Sequence, residues 1–495
     1  MGISKTILVS MMILYSFLSS AQIRLPALIS DHMILQQNSQ AILWGWARPG
    51  EKITILPSWS KKPVIAVANS AGKWTATVKT IKAGGPYTLQ FSASDSVQVK
   101  DVLLGEVWLA SGQSNMEFKL KKHKSAEANY PLIRMIDVPN RTAEEEQAEF
   151  KGKWSICSPE TAADMSAVAY FFSRDIHKET GFPVGIINAS WGGTPAESWT
   201  KKQVLESDTN LQPILMQYEK QVAAYPEALA RYKASLEKWK ADTSAVKGKE
   251  PAAPGALGSH QSPSRLYNGM IAPLIPYSIK GVLWYQGESN ASKGFQYRYL
   301  FSSMIKSWRS DWKNDRLPFY FVQISPHQSQ NPDLRESQFV TYRTVPYTGI
   351  VVTTDNGDSL DIHPPDKEPV GKRLALWALY NEYGKKSVVA SGPLYKSMKV
   401  EGNKIRIEFD YADGLIAREG ALTDFTISGS DQQFRPAEAV IEKNSILVSN
   451  LDVKEPVAVR FAWRNVPHPN LYNKAGLPAS PFRTDNWKLQ TEGRK

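Results

Sequence analysis

Ser114 is the first residue whose setting suggests chemistry. A serine hydroxyl can attack an ester carbonyl once a neighbouring base takes its proton. The apolar run at residues 107–110 predicts a strand that ends just before the segment SGQSNM. This places Ser114 at the carboxyl end of a strand, where ligands bind in open α/β sheets, and Gly112 permits the tight turn needed there. Taken alone, the segment also fits an ordinary loop or helix cap.

His363 is the base that such a serine would need. It is one of seven histidines and follows the predicted strand at 349–353, in the segment Asp361-Ile362-His363. In extended backbone, residues i and i+2 face the same side, so the Asp361 carboxylate can hold the His363 Nδ1–H. His363 Nε2 is then free to take a proton from Ser114.

Three acidic residues in the same region, Asp355, Asp358 and Asp361, raise the alternative of a calcium loop. The glycine and terminal glutamate that an EF-hand requires are missing. No HExxH or paired Cys/His spacing indicates zinc. The single cysteine, Cys157, has no recognisable activating histidine and is interpreted as buried packing. We therefore expect neither a metal nor a cofactor.

Two further segments follow predicted strands and could stabilise an oxyanion. The paired glycines Gly192 and Gly193 come after the strand at 184–189, and their backbone N–H groups could approach a ligand. The Gln286 side-chain amide could also donate a hydrogen bond. Glu288 is either a catalytic acid or, on the reading we favour, a structural hydrogen-bonding group near the nucleophile turn. The glycines alone would equally fit a simple strand-to-helix turn.

The elements that must position these residues alternate between strands and helices from residue 101 to about 390. Alternation of this kind predicts a mostly parallel sheet wrapped by helices. The apolar runs that mark its strands are 102–110, 184–189, 281–285, 319–324 and 349–353.

One helix of this region can be bounded from sequence. Val168, Phe172 and Ile176 recur at helical spacing and form a core-facing stripe. Ser166 is suited to cap the start of the helix and Gly181 to end it.

Both ends of the chain read as antiparallel β regions. Residues 22–100 and 391–495 show apolar residues at every second position, separated by turn signals, which is typical of a β-sandwich. The segment at about 205–265 interrupts the central pattern as an amphipathic helical insertion followed by a stretch rich in Lys, Ala, Pro and Gly. The predicted fold is therefore α/β with accessory β regions at both ends.

Residues 1–21 read as a signal peptide. An apolar run at 7–18 follows Lys5 and leads into small residues, and it is too short to span a bilayer. We expect an exported protein, periplasmic or extracellular, without a membrane span after signal removal; a retained N-terminal anchor is the alternative. The net charge of +11 is scattered along the chain, and its densest run of lysines, at 119–124, lacks the interleaved aromatic residues of a single-strand binder. We therefore expect no nucleic-acid partner.

Together, these segments resemble the sialate O-acetylesterase family of SGNH/GDSL-type hydrolases. The resemblance rests on GQSNM at 112–116, WGGT at 191–194, WYQGESN at 284–290 and DIHP at 361–364. Further similar segments lie at 266–270, 371–376 and 476–483. It therefore covers nearly the whole mature chain.

The resemblance implies roles for individual residues. Ser114 would be the nucleophile, His363 the base and then the acid, and Asp361 the group that orients it. The oxyanion would be held by the Ser114 N–H, by a glycine N–H at 192 or 193, and by the Gln286 amide. Residues implied in substrate contact or support of the site are Gln113, Asn115, Glu288, Asn290 and Asn268.

Two departures from the broader SGNH pattern leave alternatives open. The Asp-to-His interval is one residue rather than two, so Asp358 competes with Asp361. Glutamine stands where asparagine is usual, so Asn290 competes with Gln286.

The resemblance implies hydrolysis of O-acetyl esters on carbohydrates, with O-acetylated sialic acids as the first expectation. An esterase that acts on xylan or other acetylated polysaccharides is the second. A glycan-binding protein without catalytic activity is the alternative outside the enzymes.

Overall fold

The computed structural model describes residues 22–244 and 247–494, so the predicted signal peptide lies outside the described residues. The N-terminal strands form a two-stranded antiparallel sheet, β2 with β5, and a larger sheet in which β3, β4 and β6 lead antiparallel to β7. The strands are β1 (Ile34–Gln36), β2 (Gln40–Trp46), β3 (Lys52–Pro57), β4 (Val64–Val67), β5 (Lys73–Lys79), β6 (Gly84–Ser92) and β7 (Ser96–Gly112).

The central sheet has the order β13-β12-β11-β7-β10-β8-β9. All neighbours in it are parallel except β8 and β9, which confirms the predicted α/β class. Its further strands are β8 (Tyr130–Asp137), β9 (Ser155–Cys157), β10 (Val184–Ser190), β11 (Gly281–Tyr285), β12 (Phe319–Val322) and β13 (Thr348–Val351).

Helices cover both faces of this sheet. The α-helices are α1 (Ser114–Glu117), α2 (Lys122–Ser125), α3 (Pro159–Ala162), α4 (Ala167–Thr180), α5 (Lys202–Ser207), α6 (Gln212–Ala241), α7 (Gly294–Asp311), α8 (Pro332–Thr344) and α9 (Glu368–Asn381). Strand β12 shows the two faces directly, because its side chains alternate. Phe319 and Phe321 contact Phe301 of α7, whereas Tyr320 between them stacks on Trp377 of α9.

Helix α4 has the predicted bounds. The Ser166 side chain accepts a hydrogen bond from the Ala169 N–H, and Gly181 ends the helix in the left-handed conformation. The helical insertion is also present: α6 runs for 30 residues and only its Ile214 is buried. Within the described part of the chain, none of the helices is long and apolar enough to cross a membrane.

The C-terminal strands form antiparallel sheets over a core of their own, whereas the N-terminal strands share one continuous core with the central sheet. Cys157 is part of that shared core, and burial raises the pKa of its thiol to about 11. The C-terminal strands are β14 (Leu394–Glu401), β15 (Lys404–Asp410), β16 (Ile416–Ala417), β17 (Phe425–Ser428), β18 (Arg435–Pro436), β19 (Glu438–Glu442), β20 (Ser445–Ser449), β21 (Ala458–Phe461), β22 (Leu471–Tyr472) and β23 (Phe482–Arg483).

Three parallel strands end in register at Gly112. Ser190, the last residue of β10, and Tyr285, the last residue of β11, both lie opposite it. Gly112 has a φ of +137°, and a Cβ atom there would overlap the backbone carbonyl of Tyr285. The chain can therefore turn from β7 into α1 only because this residue is glycine.

We expect Gly112→Ala to lower the free energy of unfolding by more than the ~1–2 kcal/mol that an L residue costs in left-handed backbone. Gly181→Ala is the matched control, since Gly181 also has a positive φ but nothing lies within 4 Å of an added Cβ. Urea unfolding of both variants measures the difference. Equal midpoints would show that the overlap at Gly112 is relieved without cost.

Candidate active site

Ser114 and His363 are in hydrogen-bond contact although they lie 249 residues apart in the chain. The His363 Nε2 is 2.8 Å from the Ser114 Oγ. Ser114 is the first residue of α1, directly after β7, and His363 lies in the loop between β13 and α9. Both side chains are half-buried, so they remain open to a ligand. The structure brings together the two residues that the sequence pairs as nucleophile and base.

Asp361 lies beside His363 but does not hold its ring as predicted. The carboxylate Oδ1 accepts the backbone N–H of His363 at 2.8 Å and lies 3.8 Å from Nδ1, which is too far for a hydrogen bond. The prediction assumed extended backbone between these residues, whereas the chain turns here. Asp361 therefore fixes the turn that carries His363 and acts on the ring through its charge.

Asp358, the alternative to Asp361, is not a partner of the ring either. Its Oδ1 accepts the N–H groups of Leu360 and Asp361, which lowers the pKa of this carboxyl. Asp355 pairs with Arg373 at 2.7 Å. The three carboxylates of the calcium alternative thus have separate partners. Among the described residues, no group of three or more His, Cys, Asp or Glu side chains is placed to hold a metal ion.

A buried polar network lies behind the serine and the histidine. The Asn115 amide donates to Glu288 Oε1 at 2.6 Å and to the backbone carbonyl of Ile362 at 3.0 Å. Its oxygen accepts a hydrogen bond from Lys367 Nζ at 2.6 Å. Asn115 follows Ser114 and Ile362 precedes His363, so the network connects the two segments that carry the serine and the histidine.

The charges in this network shift one another. Burial raises the pKa of Glu288, whose second oxygen has no hydrogen-bond partner among the described residues. Burial also lowers the pKa of Lys367 to about 8, against the opposing effect of Glu288. Partial burial, followed by the positive charge of Lys367, lowers the pKa of His363. The lowered pKa favours the neutral imidazole, which is the form that can accept a proton.

The two glycines differ in what they can donate. The Gly192 N–H already donates to Glu117 Oε2 at 2.8 Å, so the prediction of an open donor fails at this residue. A Cβ added to Gly192 would lie 3.3 Å from the Ser114 Cβ, which shows how closely this backbone approaches the nucleophile. The N–H groups of Gly193 and Ser114 have no acceptor within the part of the chain that the structure describes.

Gln286 is not available as an oxyanion donor, which corrects the sequence assignment. It is fully buried, and its amide donates to the Thr194 carbonyl at 3.1 Å and to Asn290 Oδ1 at 2.7 Å. An amide nitrogen has only two hydrogens, so none is left. Asn290, its competitor, donates to Glu197 at 2.8 Å and accepts the Ala196 N–H. Both side chains therefore connect the segment after β11 to the segment after β10.

The remaining predicted residues separate into one near the nucleophile and one away from it. The Gln113 side-chain oxygen accepts the N–H groups of Gly287 and Ser289, at 3.4 and 3.3 Å, and so supports the turn beside Ser114. Asn268 instead donates to the backbone carbonyl of Glu144 at 2.6 Å. It fastens a distant loop and has no contact with the serine or the histidine.

Two residues of the site escaped the sequence analysis. Glu117 lies three residues after Ser114, one helical turn along, and Lys367 lies four residues after His363. If the segment is helical, residues three or four apart lie on the same face, so Glu117 would lie beside Ser114 and Lys367 beside His363. That spacing was the available signal, but short loops give no assurance of helical geometry.

The chain is similar to known carbohydrate esterases. Residues 252–379 match the family model described as carbohydrate esterase, sialic acid-specific acetylesterase. The sialate O-acetylesterase of Rattus norvegicus is 30% identical, over 93% of this chain and 94% of the relative. The Homo sapiens sialate O-acetylesterase is 28% identical, over 93% and 92%.

A solved structure extends the likeness to three dimensions. The crystal structure of a carbohydrate acetylesterase from Xanthomonas citri superposes with a TM-score of 0.80 at 34% identity, covering 94% of this chain and all of that one. The similarity therefore includes all regions of the fold, and it confirms the resemblance found in the sequence motifs. The chain belongs to the sialate O-acetylesterase family of carboxylic ester hydrolases.

Proposed function

We propose that this protein hydrolyses O-acetyl esters on carbohydrates through an acyl-enzyme formed on Ser114. The observation that carries the proposal is the 2.8 Å contact between Ser114 Oγ and His363 Nε2. A hydroxyl in that position can pass its proton to a neutral imidazole as it attacks a carbonyl. Membership of the family supports the choice of an acetyl ester as the substrate.

The reaction proceeds in two steps, acylation of Ser114 and hydrolysis of the acyl-enzyme. Ser114 Oγ bonds to the acetyl carbon while its proton moves to His363 Nε2; the bond to the sugar oxygen then breaks, and that oxygen takes the proton. Water next gives a proton to His363, its oxygen attacks the acetyl-serine, and the proton returns to Ser114 as acetate leaves. Acetate and a free sugar hydroxyl are the products.

The negative charge on the carbonyl oxygen would be held by backbone groups. The Ser114 N–H and the Gly193 N–H are the donors we assign, because the structure shows no acceptor for either among the described residues. A preorganised donor of this kind contributes roughly 3 kcal/mol to the transition state. Gly192 would become a third donor if the carboxylate of Glu117 moved aside.

The sequence relatives and the structural relative support two different substrate classes. The curated relatives are named sialate O-acetylesterases, which favours O-acetylated sialic acids. The structural relative is named only as a carbohydrate acetylesterase, which is compatible with acetylated xylan or similar polysaccharides. The apolar run at 7–18 supports our further proposal that the protein is exported, to the periplasm or the medium.

Ser114→Ala should lower the kcat for 4-nitrophenyl acetate by ~10⁴-fold or more, because the nucleophile is lost while the fold is kept. A serine-reactive phosphonate should inactivate the unmodified enzyme, and mass spectrometry should place the adduct on Ser114. If acetate release is unchanged in the variant, the protein is a glycan-binding module and the proposed function is wrong.

Substitutions of Asp361 and His363 should lower kcat by different amounts. His363→Ala should cost several orders of magnitude in kcat, as loss of a catalytic base does. Asp361→Asn keeps an oxygen for the His363 backbone N–H, so we expect a loss of about tenfold or less, against ~10⁴-fold where an aspartate bonds the ring directly. Asp361→Ala, which also loses the turn, should fall between the two.

A loss of ~10⁴-fold in Asp361→Asn would show that the aspartate bonds Nδ1 in the working enzyme. The assignment of Asp361 to the turn would then be wrong.

The pH profile should report the charge of Lys367. His363 acts as a base only when neutral, so kcat/KM should rise with pH and level off with an apparent pKa below the usual 6.5. Lys367→Met removes a positive charge that opposes protonation of His363, so the acid limb should move to higher pH. Lys367→Arg keeps the charge and should leave the limb in place.

Lys372→Met, an exposed position on α9, is the control for a general effect of removing a lysine. If Lys367→Met and Lys372→Met have the same acid limb, the charge of Lys367 does not act on His363. The groups that also act on His363 are Asp361 and His327, and all variants retain them.

A further inference from the structure

We propose that the cleft between α6 and the loops beside Ser114 binds an uncharged sugar unit of an acetylated oligosaccharide. The proposal rests on the proposed function and specifies its substrate class. The cleft has a volume of about 310 Å³. That is near the lower end of the ~300–1,000 Å³ of small-molecule sites, so it suits a sugar unit and not a long chain.

One wall of the cleft is formed by residues that adjoin the segments packed on Ser114. Gly193 and Ser289 both line it. Gly193 follows Gly192, whose backbone packs on Ser114, and the Ser289 N–H donates to Gln113, the residue before Ser114. A sugar in the cleft would therefore lie next to an acetyl group that has reached the serine.

The opposite wall is one face of α6. Ile214, Gln217, Tyr218 and Gln221 line the cleft and follow the spacing i, i+3, i+4, i+7, which places them on one side of a helix. Gln217 and Gln221 are exposed, so their amides can reach a ligand. Helix α6 buries only Ile214, so packing stabilises it little. We assign its polar face a role in lining the cleft.

The segment after α6 is fastened to the catalytic loop. Gln261 donates from its side chain to the backbone carbonyl of Gly193 at 3.1 Å. His260 stacks on Trp191, with ring centroids 4.9 Å apart and planes 13° from parallel. The insertion is therefore docked against the residues beside Ser114, and the cleft is a preformed part of the site.

The lining is polar but nearly uncharged. Amide and hydroxyl groups predominate, which match the hydroxyl groups of a neutral sugar as donors and acceptors. The two charged side chains of the lining are Glu197 and Lys293, of opposite sign. Glu197 accepts from Asn290 and Lys293 donates to Gln217 at 2.8 Å. The polar groups of the lining include Gln217, Tyr218, Gln221, Ser259 and Gln261.

An acid sugar would meet a less suitable lining. A carboxylate that leaves water needs a cation or several hydrogen-bond donors. Lys293 is the only cation among the described residues that line the cleft, it already donates to Gln217, and Glu197 balances its charge. Arg265 lies behind the lining, where it hydrogen-bonds Tyr218 and pairs with Glu144. The arrangement favours a neutral acetylated glycan over sialic acid at this position.

The test blocks the cleft without touching the catalytic residues. Gln221→Trp fills it, and Lys220→Trp, one position along α6 and outside the lining, is the matched control. The substrates are 4-nitrophenyl acetate, which has no sugar, an acetylated xylo-oligosaccharide, and 9-O-acetyl-N-acetylneuraminic acid. The readout is kcat/KM for each substrate.

We expect Gln221→Trp to lose at least about tenfold on the xylo-oligosaccharide and to be unchanged on 4-nitrophenyl acetate, with Lys220→Trp unchanged on both. An unchanged rate of Gln221→Trp on the xylo-oligosaccharide would overturn the proposal. So would an unmodified enzyme that prefers the sialic acid ester and loses that preference in Lys293→Gln. If no ester is hydrolysed by the unmodified enzyme, the proposed function itself has failed.

Discussion

The hydrogen bond between Ser114 and His363 depends on one constraint, that a turn after β7 and a loop after β13 meet at the same edge of the sheet. Parallel strands deliver their carboxyl ends to that edge, and Gly112 lets β7 turn sharply where β10 and β11 also end. The topology of the sheet therefore brings the two residues together, and their side chains then form the hydrogen bond.

The buried network explains why asparagine follows the nucleophile. Removing a lysine and a glutamate from water is costly unless each finds a partner. Lys367 and Glu288 are bridged through Asn115, whose amide offers an oxygen to the ammonium group and hydrogens to the carboxylate. An aspartate would repel Glu288, and a leucine would remove the hydrogen bonds that Asn115 makes to both charged groups. The same amide also donates to the backbone of the loop that carries His363, so one side chain both connects the buried charges and positions this loop.

Sequence reasoning succeeded where periodicity decides the outcome. Apolar runs located β7, β10, β11, β12 and β13 of the central sheet but not β8 and β9. The ends of the located strands placed Ser114 and His363 at one edge, so the pair could be proposed without coordinates. The capped helix between Ser166 and Gly181 was predictable for the same reason.

It failed where hydrogen bonds are shared among competing partners. Gln286 has the right chemistry for an oxyanion donor, but its hydrogens are donated to Thr194 and Asn290, which no spacing rule reveals. Asp361 has the right spacing from His363, but a turn replaced the extended backbone on which that spacing argument relies. Lys367 was missed because its partners come from two segments distant in the chain.

Strand β7 belongs to two sheets at once: its first half pairs with β6 and β1, and its second half with β10 and β11. The N-terminal region is consequently not a detachable module, since the strand that leads to Ser114 is also one of its own strands, paired with both β1 and β6. We therefore expect melting of those first strands and loss of turnover to occur in one cooperative transition. Heat inactivation of this enzyme would then report the stability of residues that never approach its substrate.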